Sequence, residues 1–335
     1  MGEREPASSD TAADHVPREV SVECTYRCNL RCVHCSVRCL ENGRREELSA
    51  EEWRDVFEQL ERAGTQELTL TGGEPFLRDD WMKLATAASK RFKLIIYTNA
   101  TTVTPAVAEE LTRIAPERVE VSVYGASEET YEAVTGAGQA YDQFRRGLKR
   151  LMETGLKIIP KVWVLRENAQ EWPRLREHYS EFESFKRGLE VSHRFDGDTS
   201  SAQHRATVAQ ILSVLANENR SHRQSAGEGD RDRPPCGTAS GGCIVSAYGD
   251  VFPCAFFPKS GGSLRQRPFA DIWQCSFFQE LRSLTLADLE GCADCDLRPY
   301  CRICPGMNYL ETGDPRRPAP ESCRLARLRR LADHP

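Results

Sequence analysis

The sequence lacks the features that would place it in a membrane or on a nucleic acid. Its 335 residues contain no apolar run of about 18 or more residues, so no membrane-spanning helix is predicted. The opening MGEREPASSDTAADHVPREV has no apolar signal-peptide core. Lys and Arg number 45 against 50 Asp and Glu, and no concentrated basic face is present. We expect a cytoplasmic protein that binds neither membrane nor nucleic acid.

Cysteine is absent from positions 40 to 235 and concentrated on either side of that gap. Five of the fourteen cysteines lie between positions 24 and 39, and nine lie between 236 and 323. Thiols stay reduced in the cytoplasm, so metal ligation explains this number better than disulfides do. The distribution predicts two metal-bearing regions joined by a cysteine-free scaffold.

The scaffold, residues 20 to 195, alternates strand patterns with helix patterns. In LSAEEWRDVFEQLERAG, Ser49 and Glu52 form a capping box and Gly64 supplies the helix stop. FKLIIYTNA is typical of a strand covered on both faces. Six such strand–helix units favour an α/β fold with a parallel sheet, here a partial (β/α)6 TIM-like barrel. In such barrels the chemistry lies at the carboxyl ends of the strands.

The motif CNLRCVHC places three cysteines, Cys28, Cys32 and Cys35, directly after the first predicted strand. A closed zinc site needs four tetrahedral ligands, commonly from two CxxC pairs, and this loop has three with unequal gaps. Short cysteine runs in a loop suit a 4Fe-4S cluster, because each thiolate must reach a different iron. Three ligands leave one iron open, and an open metal position can bind a substrate or a cofactor.

CxxxCxxC at this position, followed by TGGEP at 71–75 and YTNA at 97–100, resembles the signature of radical S-adenosylmethionine (radical SAM) enzymes. The similarity covers about residues 18–195. It implies that Cys28, Cys32 and Cys35 hold a 4Fe-4S cluster whose fourth iron binds the amino and carboxylate groups of S-adenosylmethionine (SAM). Reduction of SAM then yields methionine and a 5'-deoxyadenosyl radical, which abstracts a hydrogen atom from the substrate.

Further residues at the strand ends are predicted to bind the cofactor. Gly72 and Gly73 let the backbone approach a ligand closely, and Glu74 offers a carboxylate to the ammonium group of SAM. Asn99 and Ser122 are candidates to bond the ribose hydroxyls or the methionine carboxylate, and capping or turn roles explain them almost equally well.

The second cysteine group resembles the SPASM extension of radical SAM proteins, over about residues 236–325. The resemblance implies two auxiliary 4Fe-4S clusters with interleaved ligands. The ligands are Cys236, Cys243, Cys254 and Cys304 for the first, and Cys292, Cys295, Cys301 and Cys323 for the second. The family usually has three residues between its last two clustered cysteines, where this sequence has two. A pair of four-cysteine zinc ribbons is the alternative.

Other residues of the two regions have expected roles outside the clusters. Cys24 and Cys275 are expected to be small buried core residues. Cys39, four residues past the cluster loop, is a candidate redox or hydrogen-donor thiol, although this is the less favoured interpretation. His34 is expected to pack against adenine rather than to bind metal.

The chain is predicted to have five segments. Polar NENRSHRQSAGEGDRDRPP indicates a linker, and CIVSAYGDVFPCAFF predicts a β-hairpin with its turn at 248–250. The segments are a disordered tail at 1–18, the radical SAM core barrel at 19–195, a helix and flexible linker at 196–235, a small cysteine-rich SPASM domain at 236–325 and a C-terminal tail at 326–335.

Three functions are open at this point. The resemblance favours an oxidoreductase that cleaves SAM reductively and oxidises a ribosomally made peptide, by crosslinking or another maturation step. The alternatives are a radical dehydrogenase or epimerase of a sugar, aminocyclitol or other small metabolite in natural-product biosynthesis, and a non-catalytic zinc or electron-transfer module. In the sulfatase-maturing branch an aspartate directly follows the cysteine matching Cys254, so Ala255 argues against formylglycine formation.

The expected partners follow from the favoured function. They are a peptide or small-molecule substrate and an external electron donor such as flavodoxin or ferredoxin. Only about 18 residues precede the first predicted strand, which leaves no room for an appended leader-binding domain within this chain. A peptide maturase of this kind would need either a separate leader-peptide-recognition protein, which is a further expected partner, or a substrate with a short leader.

Overall fold

One continuous sheet organises the protein, for which the computed structural model describes residues 15–36, 45–218, 222–223 and 231–334. The strands in these residues are β1 Glu19–Thr25, β2 Glu67–Gly72, β3 Lys93–Thr98, β4 Arg118–Val123, β5 Ile158–Trp163, β6 Lys186–Gly188, β7 Gly242–Val245, β8 Asp250–Phe252 and β9 Gly262–Ser263. Their order is β6-β5-β4-β3-β2-β1-β7-β8-β9. β1 to β6 are parallel, β7 is parallel to β1, and β8 and β9 continue antiparallel.

The helices in the described residues are α1 Ala50–Arg62, α2 Trp81–Ser89, α3 Pro105–Ile114, α4 Glu128–Thr135, α5 Ala140–Glu153, α6 Trp172–His178, α7 Val208–Ala216, α8 Phe269–Trp273, α9 Ser276–Arg282, α10 Pro305–Thr312 and α11 Pro320–Asp333. Helices α1 to α7 lie between the parallel strands along the chain, and α8 to α11 follow β9. Buried apolar residues of strands and helices, such as Leu70 of β2 and Phe57 of α1, belong to one core. The expected α/β fold with a partial six-stranded barrel is confirmed.

Local sequence explains where α1 begins and ends. The side chain of Ser49 accepts from the backbone N–H of Glu52, and the Glu52 carboxylate accepts from the N–H of Ser49, which completes the predicted capping box. Gly64 follows the helix with a φ of +90°, a conformation that favours glycine. Because these signals are local, the sequence alone could locate the helix.

The barrel interior contains a buried carboxylate shared by three cations. Glu120 on β4 lies 2.9 Å from Arg118, 3.0 Å from Lys161 on β5 and 2.8 Å from Lys186 on β6. Burial alone would raise the pKa of Glu120, but the Lys161 charge and the hydrogen bonds from Lys186 and Arg118 outweigh it and lower the pKa to about 2. This network joins three neighbouring strands on the interior side of the sheet.

Replacing that carboxylate should destabilise the fold. We expect Glu120→Gln to lower the free energy of unfolding by about 3 kcal/mol, because three cations then lose their shared anion. Glu183→Gln is the control, since exposed Glu183 pairs with Lys157 at 2.9 Å on the surface and should cost at most about 1 kcal/mol. Thermal and urea unfolding followed by circular dichroism measures both changes. Equal unfolding midpoints for the two variants would contradict the prediction.

The C-terminal region extends the same sheet. The predicted hairpin is confirmed: β7 and β8 pair antiparallel, and Gly249 between them has a φ of +84°. β7 also pairs with β1, where Val20 lies opposite Cys243. The cysteine-rich region is therefore joined to the barrel by backbone hydrogen bonds.

The C-terminal segment differs from the prediction of a tail at 326–335. Residues 326–333 are the second half of α11, which packs against α7. Leu325 and Leu328 are buried there, because the helix presents its apolar residues to a neighbour distant in sequence. None of the helices in the described ranges is both long and apolar enough to cross a membrane.

Other segment boundaries are described in part. The helix expected near 205–217 is α7, and residues 219–221 and 224–230 of the predicted linker lie outside the described residues. The same holds for residues 1–14 of the predicted N-terminal tail and for Cys39. Directly after that tail portion, the carbonyl oxygen of His15 accepts from the indole N–H of Trp273 at 2.8 Å.

Candidate cluster and cofactor site

The loop with the first three cysteines leaves the carboxyl end of β1 and is held from two sides. On one side, the Glu47 carboxylate accepts from the backbone N–H of Tyr26 at 2.6 Å. On the other, the N–H of Arg31 donates to the carbonyl of Thr135, and the N–H of Val33 donates to Val134, both at 2.9 Å. The loop is therefore fixed between the start of α1 and the end of α4.

The three thiols of this loop are close enough for their charges to interact. Burial raises the pKa of Cys32 well above its usual value, and the charges of Cys35 and Cys28 raise it further. Neighbouring thiolates repel one another, so these thiols stay protonated unless a cation compensates their negative charge. A bound metal cluster provides the compensating charge and ligates the thiolates. The donor set thus fits an iron-sulfur cluster, and the assignment of these ligands stays a prediction.

Gly72 and Gly73 bring the end of β2 against the backbone of the cysteine loop. The N–H of Gly73 donates to the carbonyl of Thr25, and the N–H of Glu74 donates to that of Arg27, both at 2.8 Å. A Cβ at Gly73 would lie 2.2 Å from the Arg27 oxygen, and one at Gly72 would lie 2.3 Å from the Thr25 oxygen. These glycines therefore let the end of β2 approach the backbone of the cysteine loop closely.

Glu74 is fully buried, and its carboxylate accepts three hydrogen bonds from the protein. The donors are the Thr98 hydroxyl at 2.8 Å, the Asn99 backbone N–H at 2.7 Å and the Phe76 N–H at 3.4 Å. Burial raises the pKa of Glu74 to about 7, against the lowering effect of the bonds from Asn99 and Thr98. The carboxylate joins the ends of β2 and β3, and its predicted contact with the SAM ammonium group stays a prediction.

Asn99 connects the end of β3 to the cysteine loop. Its side-chain amide donates to the Asn29 side-chain oxygen at 3.1 Å, and Asn29 directly follows Cys28. The Asn99 side-chain oxygen accepts from the N–H of Thr101 at 2.9 Å. The turn role considered for Asn99 is thus present, and its predicted contact with the cofactor stays a prediction. Asn29 was not predicted from sequence, because only its position inside the motif marks it as part of the site.

Ser122 lies beside the cysteine loop through Tyr124. Ser122 and Cys32 both act on the pKa of the Tyr124 phenol, which burial raises well above its usual value. The His34 side chain is partly buried; its ring centroid lies 6.0 Å from that of Tyr124, and its buried Nδ1 has no hydrogen-bond partner. Ser122 therefore lies close to the loop that carries His34 and the three cysteines. Tyr124 was not predicted from sequence.

The charges of three members of the first predicted auxiliary set interact, and the assignment of the four ligands stays a prediction. Burial raises the pKa of Cys254 to about 11 and that of Cys304 to about 12; the charge of Cys236 raises both further, and that of Cys254 also acts on Cys304. Cys243 is buried on β7 with Arg282 as a charged neighbour, and it is not among the thiols that raise these two values. Three of the four predicted ligands are thus close together, including Cys304, whose spacing departs from the family pattern.

The second predicted auxiliary set lies together in one place, and its assignment as cluster ligands stays a prediction. Its four members, Cys292, Cys295, Cys301 and Cys323, line one pocket. Burial raises the pKa of Cys301 to about 12, and the charges of Cys323, Cys292 and Cys295 raise it further. Cys323 reaches this pocket from α11.

The described cysteines do not form a single-ion site. Within the described ranges, no group of three or more His, Cys, Asp or Glu side chains is arranged to hold one metal ion. Of the two cysteines expected in the core, Cys24 is fully buried and Cys275 is only partly buried, at the start of α9. Cys275 adjoins Gly261, where an added Cβ would lie 3.1 Å from its sulfur.

Comparisons with known proteins agree with this geometry. The Radical SAM superfamily model matches residues 22–178, and the SPASM model, an iron-sulfur cluster-binding domain, matches residues 236–296. Mycofactocin maturase MftC of Mycolicibacterium smegmatis is 30% identical over 304 residues, which cover 84% of this chain and 76% of that protein. An AdoMet-dependent heme synthase of Methanosarcina barkeri is 26% identical over 339 residues, 90% of this chain and 95% of that protein.

The fold also matches that of a solved peptide-bound structure. Streptococcus suis SuiB bound to the precursor peptide SuiA superimposes with a TM-score of 0.74 at 18% identity, and the match covers 93% of this chain and 76% of SuiB. At this identity the likeness concerns the fold alone.

Proposed function

The chain belongs to the radical SAM superfamily and carries a SPASM domain, and on this basis we propose that it is an oxidoreductase for a ribosomally made peptide. Its cofactors are 4Fe-4S clusters and SAM. SAM, when bound and reduced, supplies a 5'-deoxyadenosyl radical that removes a hydrogen atom from a substrate. The observation that carries the proposal is the loop of three neighbouring thiols fixed at the carboxyl ends of the barrel strands.

The residues around the loop have separate roles in this proposal. Cys28, Cys32 and Cys35 hold the SAM-binding cluster, and Gly73 and Glu74 keep the loop in place through their backbone N–H groups. The eight predicted SPASM ligands hold two auxiliary clusters, which are electron acceptors of the kind that a two-electron oxidation requires. An external electron donor such as flavodoxin or ferredoxin and a separate leader-peptide-recognition protein remain proposed partners, in a cytoplasmic setting that keeps thiols reduced.

Peptide substrates are favoured over small molecules by the name of one similar protein. MftC is a maturase, and the match to it covers 84% of this chain at 30% identity. The heme synthase supports the second candidate, oxidation of a small metabolite, because it matches along nearly its whole length. A non-catalytic zinc module is not proposed, since the family consists of enzymes that use iron-sulfur clusters.

The reaction can be tested with anaerobically purified protein, SAM and dithionite. With synthetic peptides from short reading frames that adjoin the gene as candidate substrates, we expect a product lighter by two hydrogens and one 5'-deoxyadenosine per product. Mass spectrometry measures both. An unchanged product mass with solvent deuterium incorporated would indicate epimerisation instead. Turnover of a small metabolite but not of the peptide would favour the second candidate, and absence of 5'-deoxyadenosine would overturn both.

A further inference from the structure

A carboxylate–imidazole pair lies beyond the carboxyl end of β5. Glu167, four residues after the end of that strand, places a carboxylate oxygen 2.6 Å from Nδ1 of His204. The other carboxylate oxygen of Glu167 is buried without a hydrogen-bond partner. The His204 side chain is 28% exposed. The Glu167 carboxylate therefore forms its hydrogen bond with the imidazole, and part of the imidazole stays exposed to solvent.

The segments that bear the pair are joined by backbone hydrogen bonds. The N–H of Arg166 donates to the carbonyl of His204 at 2.9 Å, and Leu165 and Arg205 form an isolated β-bridge. Next to Glu167, buried Asn168 accepts from the N–H of Leu165 at 2.8 Å and donates to the Tyr124 carbonyl at 3.0 Å. The pair is thus fixed to the ends of both β4 and β5.

The pair is close to the cysteine loop. Val33 of the loop packs against a small apolar cluster that includes Leu165, two residues before Glu167. The centroid of the His34 ring lies 6.0 Å from that of Tyr124, and the Tyr124 carbonyl accepts from Asn168, the neighbour of Glu167.

The pairing fixes which nitrogen of His204 can accept a proton. With Nδ1–H donating to Glu167, Nε2 of the neutral imidazole is left as an acceptor. A carboxylate on Nδ1 also stabilises the imidazolium formed when Nε2 takes up a proton. The oxidation needs such an acceptor, and the position after Cys254 cannot supply it, because Ala255 stands there.

We propose that Nε2 of His204 accepts the substrate proton in this oxidation and that Glu167 is its positioning residue; this rests on the proposed function. Hydrogen-atom removal leaves an unpaired electron on a substrate carbon next to an O–H or N–H group. The proton of that group passes to His204, and an oxidised cluster held by the SPASM cysteines would accept the remaining electron and become reduced by one electron. A C=O or C=N bond forms, and the substrate has lost two hydrogens.

The test compares three variants of the cluster-loaded enzyme with the wild type, using the synthetic peptide that the wild type oxidises. His204→Gln should reduce product formation by about 100-fold while 5'-deoxyadenosine formation stays within about twofold of the wild type. Glu167→Gln should reduce product by about 10-fold, because the imidazole loses its carboxylate. His178→Gln is the matched control, since His178 is exposed on α6 with Nδ1 3.0 Å from the Arg174 carbonyl oxygen. It should form product as the wild type does.

A spectroscopic readout separates proton transfer from a structural role. In freeze-quenched His204→Gln samples, we expect an organic radical signal by electron paramagnetic resonance, because the substrate radical forms but cannot lose its proton. The signal should be absent from His178→Gln. Product formation by His204→Gln at the wild-type rate, or product loss without a radical signal, would overturn this inference alone. Absence of 5'-deoxyadenosine from the wild type would overturn the proposed function and the inference with it.

Discussion

Protein in which Cys28, Cys32 and Cys35 are all replaced by alanine is expected to form no 5'-deoxyadenosine from SAM and dithionite. These three thiols are neighbours in one loop, so their removal abolishes the only proposed site with an open iron. Iron content should fall from about twelve to about eight atoms per chain, because one of three four-iron clusters is lost. Iron assay and mass spectrometry of the nucleoside measure the two effects.

The control for this triple variant is Cys275→Ala. Cys275 is partly buried and belongs to none of the three proposed ligand sets, so this variant should keep about twelve irons and the wild-type rate. A triple variant that still cleaves SAM would refute the assignment of the loop. Colourless wild-type protein with stoichiometric zinc would refute all three clusters.

Gly73→Ala is expected to lower 5'-deoxyadenosine formation by about 100-fold, because the cysteine loop must move to relieve the contact. The added Cβ would lie 2.2 Å from the carbonyl oxygen of Arg27, next to Cys28. Backbone cannot rotate away as a flexible side chain does, so the loop and its thiols shift together. Nucleoside formation and iron content are the measurements.

Gly241→Ala provides the comparison for that backbone contact. An added Cβ at Gly241 meets no atom within 4 Å, so SAM cleavage should be unchanged. If Gly73→Ala also retained the wild-type rate and iron content, the close packing between β2 and the cysteine loop would not matter for cluster binding.

Several elements could be predicted from sequence because their signals are local. The capping box of α1, the glycine after it and the hairpin turn at Gly249 each depend on residues within a few positions of one another. The cysteine loop belongs to the same class, since its three thiols lie within eight residues. Periodic strand and helix patterns then placed that loop at the carboxyl end of β1, where the structure has it.

Features that depend on tertiary contact could not be predicted in the same way. The hydrogen bonds that the Glu74 carboxylate accepts from Thr98 and Asn99 at the end of β3 were not predicted, because strand neighbours become known only when the sheet is formed. His204 and Glu167 are 37 positions apart, and neither belongs to a motif. The helical state of residues 326–333 likewise depends on packing against α7.

The pairing of β7 with β1 makes the cysteine-rich region a structural neighbour of the barrel rather than a detachable module. β1 is an interior strand of the sheet because β7 covers its second side, from Glu19 opposite Gly242 to Val22 opposite Val245. In a chain shortened before residue 242, β1 would become an edge with unpaired N–H and C=O groups, and such edges favour intermolecular strand pairing. A minimal version of the barrel therefore has to retain β7 or replace it with another strand.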